Sequence, residues 1–134
     1  MKITVVLFSL LLLAACQSAL PETQQAVSVG RLRDEYEVSR AAARSKYDGK
    51  EITVRGYAEG GSTMPHSEAD QGSVLMGEAG RDANQPVVCW FSPQQATEFS
   101  KIKGGEYVVV KGVFNGEERP ELRFCKLVKV ELER

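Results

Sequence analysis

The sequence predicts a mainly β fold: a small five-stranded barrel with one leading helix and a short second helix between its third and fourth strands. Three observations predict it. From Val29 to Tyr47 apolar residues recur at helical spacing. After Gly49 the apolar period changes to two and returns in run after run. The runs are separated by turn-rich stretches and arrive as three strands, a helix and two strands.

The elements follow in order. Ser28 can cap a helix whose stripe is Val29, Leu32, Tyr36, Ala43 and Tyr47, with Arg33 and Glu37 four apart on the exposed side. Asp48-Gly49 ends it. In the first strand, Glu51 to Glu59, Ile52, Val54, Gly56 and Ala58 face inward, and Thr53, Arg55, Tyr57 and Glu59 outward. A polar loop from Gly60 to Gly72 leads to Ser73–Met76, a second strand. A further turn-rich loop leads to Val87–Phe91, the third. Ser92-Pro93 opens a short helix to about Ile102, stopped by Gly104-Gly105. Tyr107 to Phe114 is the fourth strand, with Val108, Val110, Gly112 and Phe114 on one face. Asn115-Gly116 signals a hairpin, lengthened by Glu117 to Pro120. Leu122 to Leu132 is the fifth, its apolar phase set by Phe124, Val128, Val130 and Leu132.

The amino terminus is of a different kind. Lys2 is followed by an apolar run from Ile3 to Leu13, then Ala14-Ala15 and Cys16. A charged start, a short apolar run and a small-residue exit are the parts of a secretory signal peptide. The run is too short to span a bilayer as a stable helix, which takes about 20 apolar residues. Leu13-Ala14-Ala15-Cys16 resembles the lipobox of bacterial lipoproteins at each position. The resemblance implies that residues 1–15 are removed, that the Cys16 thiolate accepts a diacylglyceryl group, and that the mature chain starts there with several acyl chains. Gln17 in place of aspartate implies the outer rather than the inner membrane. Residues 16–28, polar and containing Pro21, then form a flexible linker, and 29–134 form the domain.

Charge and cysteines narrow the class. The chain carries 17 basic and 18 acidic residues, and losing Lys2 with the signal takes its net charge from −1 to −2. No basic excess steers it to nucleic acid. Once Cys16 is assigned to the anchor, Cys89 and Cys125 remain as a pair in an exported protein, which favours a disulfide. Closing its loop of about 37 residues would contribute roughly 4 kcal/mol. The phase of the fifth strand puts Cys125 outside. A bridge there would turn Val88 and Trp90 into the core, and a bulge near Cys125 that turns both cysteines inward is the competing arrangement.

Three strands, a helix and two strands is the order of an OB-fold barrel. The runs Tyr47-Asp-Gly-Lys-Glu-Ile-Thr-Val-Arg-Gly56, Val88-Cys-Trp-Phe91, Lys103-Gly-Gly-Glu-Tyr-Val-Val-Val-Lys-Gly112 and Leu122 to Cys125 resemble the tRNA_anti-like group of OB-fold proteins across residues 30 to 131. The resemblance implies a fold rather than an activity.

Chemistry is sparsely provided for. His66 is the only histidine, and with Glu68 and Asp70 it forms at most a loose cation site in a polar loop. No nucleophile frame, phosphate loop or C-x-x-C spacing occurs, so neither an enzyme nor a cofactor is expected. OB barrels usually bind on the outer face of strands two and three, between loops that here are Gly60–Gly72 and Asn115–Pro120. Arg55 beside Tyr57 on the first strand is the candidate ligand face. The expected role is a non-catalytic module at the membrane, binding an envelope protein or glycan. A single-stranded nucleic-acid binder and an inhibitor of an envelope hydrolase are the alternatives.

Overall fold

The computed structural model describes residues 25–62, 72–78 and 86–131. Cys16, the signal segment and most of the linker lie outside the described residues, as do His66, Glu68, Asp70 and Leu132.

Five strands close into a barrel: β1 (Glu51–Ser62), β2 (Gly72–Gly77), β3 (Val87–Phe91), β4 (Tyr107–Asn115) and β5 (Glu121–Glu131). Around the barrel they run β1-β2-β3-β5-β4, and β4 pairs back onto β1. All neighbours are antiparallel except β3 and β5, which run parallel. This is the expected five-stranded OB-type closure, and it leaves no long free edge. Between β3 and β4 a 3-10 turn (Pro93–Gln95) leads into the short α3 (Ala96–Phe99), whose Phe99 ring packs 5.5 Å from that of Phe91. Inside the barrel stand Val54, Ala58, Val74, Met76, Val108, Val110, Phe114 and Leu122, all buried, and the inward face of β1 is the expected one.

The leading helix is two helices. α1 (Val29–Val38) and α2 (Arg40–Tyr47) meet at Ser39, whose backbone is extended at φ −154° and ψ 101°. Its N–H caps α1 by donating to the Glu35 carbonyl, and its Oγ accepts from the Ala42 N–H to start α2. A serine that satisfies both ends makes the break inexpensive. Ser28 caps α1 as expected, accepting from the Arg31 N–H. Gly49 at φ +73° follows the end of α2, a left-handed position suited to glycine. The anticipated spacer ends earlier than Ser28, since Val27 and Ser28 pair in parallel with Val54 and Arg55 of β1. Arg33 is also not on an exposed face: it is 7% exposed while holding its ion pair to Glu37 at 3.2 Å.

Strands β3 and β5 depart most from expectation. Val87, Cys89 and Phe91 belong to the interior cluster, so Val88 and Trp90 point outward. In β5, Leu122 and Cys125 are both fully buried, and Phe124 is 54% exposed at φ +53°. The inward phase assigned to Phe124 therefore does not hold. A bulge at Arg123-Phe124 resets the alternation and brings Cys125 inside, with register shifts on both neighbouring strands. The expected Cys89–Cys125 disulfide is absent, and both residues are buried free thiols. The parallel ladder explains this: Cys89 stands opposite Leu122, while Cys125 stands opposite Phe91. Diagonal neighbours on adjacent strands lie about 8 Å apart at Cα, beyond the reach of a disulfide. Each sulfur contacts another group, Met76 Sδ at 3.2 Å for Cys89 and the Leu122 carbonyl for Cys125.

Candidate binding cleft

The helix pair is fastened to the β4–β5 loop, and the fastening builds a cleft. Tyr36 Oη donates to the Gly116 carbonyl at 2.8 Å, and Arg40 Nε approaches the same oxygen at 3.4 Å. The Gly116 N–H donates to Asp48 Oδ1 at 2.9 Å, and Asp48 Oδ2 holds Arg44 at 2.7 Å. Gly116 is required by close approach: a Cβ there would lie 2.9 Å from the Phe114 ring and 3.1 Å from Tyr36 and Arg44. Burial would raise the Asp48 pKa, but the Arg44 and Gly116 hydrogen bonds outweigh it and hold the carboxyl below its ordinary value.

Between α1, the outer faces of β2 and β3 and this loop lies a cavity of about 490 Å³, within the usual size of a ligand site. Leu75, Val88, Pro86 and Pro120 give it an apolar lining, while Arg33, Tyr36, Glu37, Glu118 and Arg119 supply its polar groups. Leu75 is 37% exposed, and Val88 only 3%. Next to Val88, Glu121 carries a buried carboxylate that accepts from Trp90 Nε1 at 3.1 Å and from Arg123 at 3.0 and 3.2 Å. Arg119 stands 3.6 Å from the same carboxylate. A buried carboxylate needs such partners, and it thereby positions an arginine of the cleft wall.

The two helices are locked at their elbow by Glu35, which takes Tyr47 Oη at 2.6 Å, Lys46 Nζ at 3.0 Å and Arg31 Nε at 3.2 Å. The Tyr47 hydrogen bond lowers the Glu35 pKa most; desolvation opposes it, and Lys46 and Arg31 add to the lowering. A depressed carboxyl pKa stabilises the fold fully above the ordinary value of 4.5 and is lost as pH falls below it. Glu35→Gln is therefore expected to cost about 1 kcal/mol at pH 7 and much less at pH 3, as read by thermal melting at both pH values. An equal loss at both would show that charge plays no part.

Arg55 and Tyr57 lie elsewhere. They stand on the face shared by β1 and β4, where the Tyr57 and Tyr107 rings meet edge-on with centroids 4.9 Å apart. Burial raises the Tyr107 pKa, and Arg55 pulls it the other way. Neither Arg55 nor Tyr57 lines the cleft. The cleft residues were signalled only indirectly, by the OB loop rule and by a third strand apolar on both faces. Among the described residues no group of three or more His, Cys, Asp and Glu side chains is placed to hold a metal, and no helix is long and apolar enough to cross a membrane.

A closed five-stranded barrel with a ligand-sized cleft on its second and third strands defines an OB-fold domain. The chain belongs to the tRNA_anti-like family, whose model matches residues 5–125. In fold it is similar to a lipoprotein of Klebsiella pneumoniae subsp. pneumoniae MGH 78578, named as a candidate nucleic acid-binding protein. The TM-score is 0.67 at 18% identity, covering 84% of this chain and 100% of that one. OBody AM3L15 and OBody AM3L09, both solved bound to hen egg-white lysozyme, align at 13% identity. Their TM-scores are 0.46 and 0.47, over 65% and 63% of this chain and 83% and 86% of theirs. No curated protein matches the chain at a significant level.

Proposed function

We propose that the protein is a non-catalytic binding module of the bacterial envelope, held at the membrane by a lipid on Cys16 and taking a protein or polymer partner in the cleft beneath α1. The single observation that carries the reading is the cleft itself. It lies where OB barrels usually bind, it is mainly apolar, and its two arginines are already paired with Glu37 and Glu121. An apolar lining with compensated charges suits a polypeptide segment better than a phosphate backbone. Gln17 assigns the anchor to the periplasmic face of the outer membrane. The test is a photo-crosslinker at the exposed Glu118, alone and combined with Leu75→Glu. One defined adduct, lost in the Leu75→Glu variant, is expected; an adduct indifferent to Leu75 would overturn the cleft as the site. Metabolic palmitate labelling that disappears in Cys16→Ser checks the anchor.

The resemblance in fold to the Klebsiella lipoprotein favours a second reading, binding of single-stranded nucleic acid. Against it, Trp90 on the same barrel face is 7% exposed with its N–H bound to Glu121, so it offers no stacking platform. A salt-sensitive mobility shift with oligonucleotides would decide for this reading, and no shift at low salt would remove it.

A further inference from the structure

The charges of this near-neutral chain are not evenly spread. Across the outer wall formed by β1, β4 and β5, the ladders align Thr53 with Lys111 and Lys126, and Arg55 with Val109 and Lys129. Paired residues of an antiparallel ladder share a face. Arg55, Lys111, Lys126 and Lys129 therefore stand together on one convex surface. The carboxylates of that face lie toward its two ends, Glu51 and the Arg123-paired Glu121 at one and Glu59 and Glu131 at the other. Glu51 is 3.4 Å from Lys111 and Glu131 is 3.6 Å from Lys129, both partly exposed pairs, which leaves Arg55 and Lys126 as the cations of its centre. Glu131 and Glu78 lie near Tyr107, at the far end from Phe124.

Two features of this wall work against the isolated fold. Lys111 and Lys126 are directly opposed, and like charges so placed repel. Phe124 presents an aromatic ring to solvent from a left-handed backbone, φ +53°, which bulky residues rarely adopt. Phe124 stands between the Val113–Arg123 and Lys111–Lys126 pairs of the ladder, and an exposed aromatic ring beside basic residues is the composition of an interfacial membrane contact.

The tether arrives on this side. Val27 and Ser28 run along β1 beside Val54 and Arg55, so the chain enters the fold next to the basic wall. From Cys16 to Gln25 it can extend at most about 30 Å. We infer that the outer face of β1, β4 and β5 binds the anionic phosphate headgroups of the bilayer to which the protein is tethered, with Phe124 entering the interface at its edge. The inference rests on the lipid-anchored reading above. It leaves the cleft on β2 and β3 free for its partner. A convex wall matches a lipid surface, whereas single-stranded nucleic acid is bound in grooves with stacking rings.

The experiment is vesicle sedimentation with unlipidated protein from residue 16 onward, carrying Cys16→Ser and retaining every described residue. Vesicles of phosphatidylcholine with and without about one third phosphatidylglycerol are compared. Binding only to the anionic vesicles, lost at high salt, is expected. Each cation near an anionic surface is worth roughly 1 kcal/mol, about fivefold, so reversing two in K126E/K129E should lower binding by more than tenfold. The K126E change alone should raise the melting temperature, because it replaces a repulsive pair with an attractive one. K126E alone should also bind the anionic vesicles more weakly, by about fivefold or more, and weaker binding by a more stable protein cannot be ascribed to misfolding. Equal binding to both vesicle types, unchanged binding by K126E/K129E, or binding of single-stranded oligonucleotide in place of vesicles would overturn the inference. Lipid on Cys16 in cells with no anionic preference in vitro sinks this inference alone, while an unmodified Cys16 sinks the anchored reading beneath it.

Discussion

Phe114→Ala is expected to destabilise the protein by about 3–5 kcal/mol, a large share of the 5–15 kcal/mol typical of a domain. The ring is 1% exposed and its centroid lies 5.6 Å from that of Tyr47. It joins the barrel interior to the end of α2. The backbone around it is equally committed: the Phe114 carbonyl accepts from the Gly49 N–H, and its own N–H donates to the Lys50 carbonyl, both at 3.0 Å. Removing the ring leaves a cavity between β4, α2 and the Gly116 loop that rigid hydrogen-bonded backbone cannot collapse to fill. Chemical denaturation measures the loss. Phe124→Ala is the control, since a ring 54% exposed should change stability by no more than about 0.5 kcal/mol. Comparable losses in the two variants would contradict the inward assignment of Phe114 on β4 and the outward one of Phe124 on β5.

Gly56→Ala carries the second large effect, about 2–3 kcal/mol of destabilisation through overpacking. A Cβ at this position would lie 2.6 Å from Val29 Cγ2 and 2.7 Å from the Gly77 carbonyl oxygen. The valine can yield, but the β2 backbone cannot without breaking its ladder. Val29→Ala in the Gly56→Ala background should therefore restore only part of the loss, with the coupling read from a double-mutant cycle. Full restoration would place the whole conflict on the valine. Gly56 ends the motif that begins at Tyr47, and this crowding gives that glycine a reason: α1 enters the barrel where β1 is not yet paired with β2. Gly112 ends the matching motif of β4 for a related reason, since a Cβ there would meet Cys125 Sγ at 2.9 Å and the Arg123 carbonyl at 3.0 Å.

The OB topology was legible because it depends on local period and on order along the chain. Alternation in Glu51–Glu59 and Tyr107–Phe114 named the inward residues correctly, and the order of strands and helix left one common closure. The binding face was legible as a region and not as residues. The loop rule pointed to Asn115–Pro120 and to strands two and three, but Arg33 looked like an exposed helical ion-pair partner. Its burial comes from the helix lying against β2, a contact between residues more than 40 apart.

Sequence alone determined the barrel order, the Ser28 cap, the Asp48-Gly49 stop and the inward face of β1, because each follows from interactions within a few residues. Tertiary structure decided the break at Ser39, the cleft, and which way β3 and β5 face. A strand apolar on both sides, such as Val87–Phe91, carries no period to say which side is inside. Its orientation is set by the register of its partners, and on β5 that register is interrupted by the bulge at Phe124. One inserted residue turned Cys125 inward and Phe124 outward, while the register that sets Cys89 opposite Leu122 keeps the two cysteines diagonally apart across the ladder. It left an aromatic ring on the basic wall of the barrel.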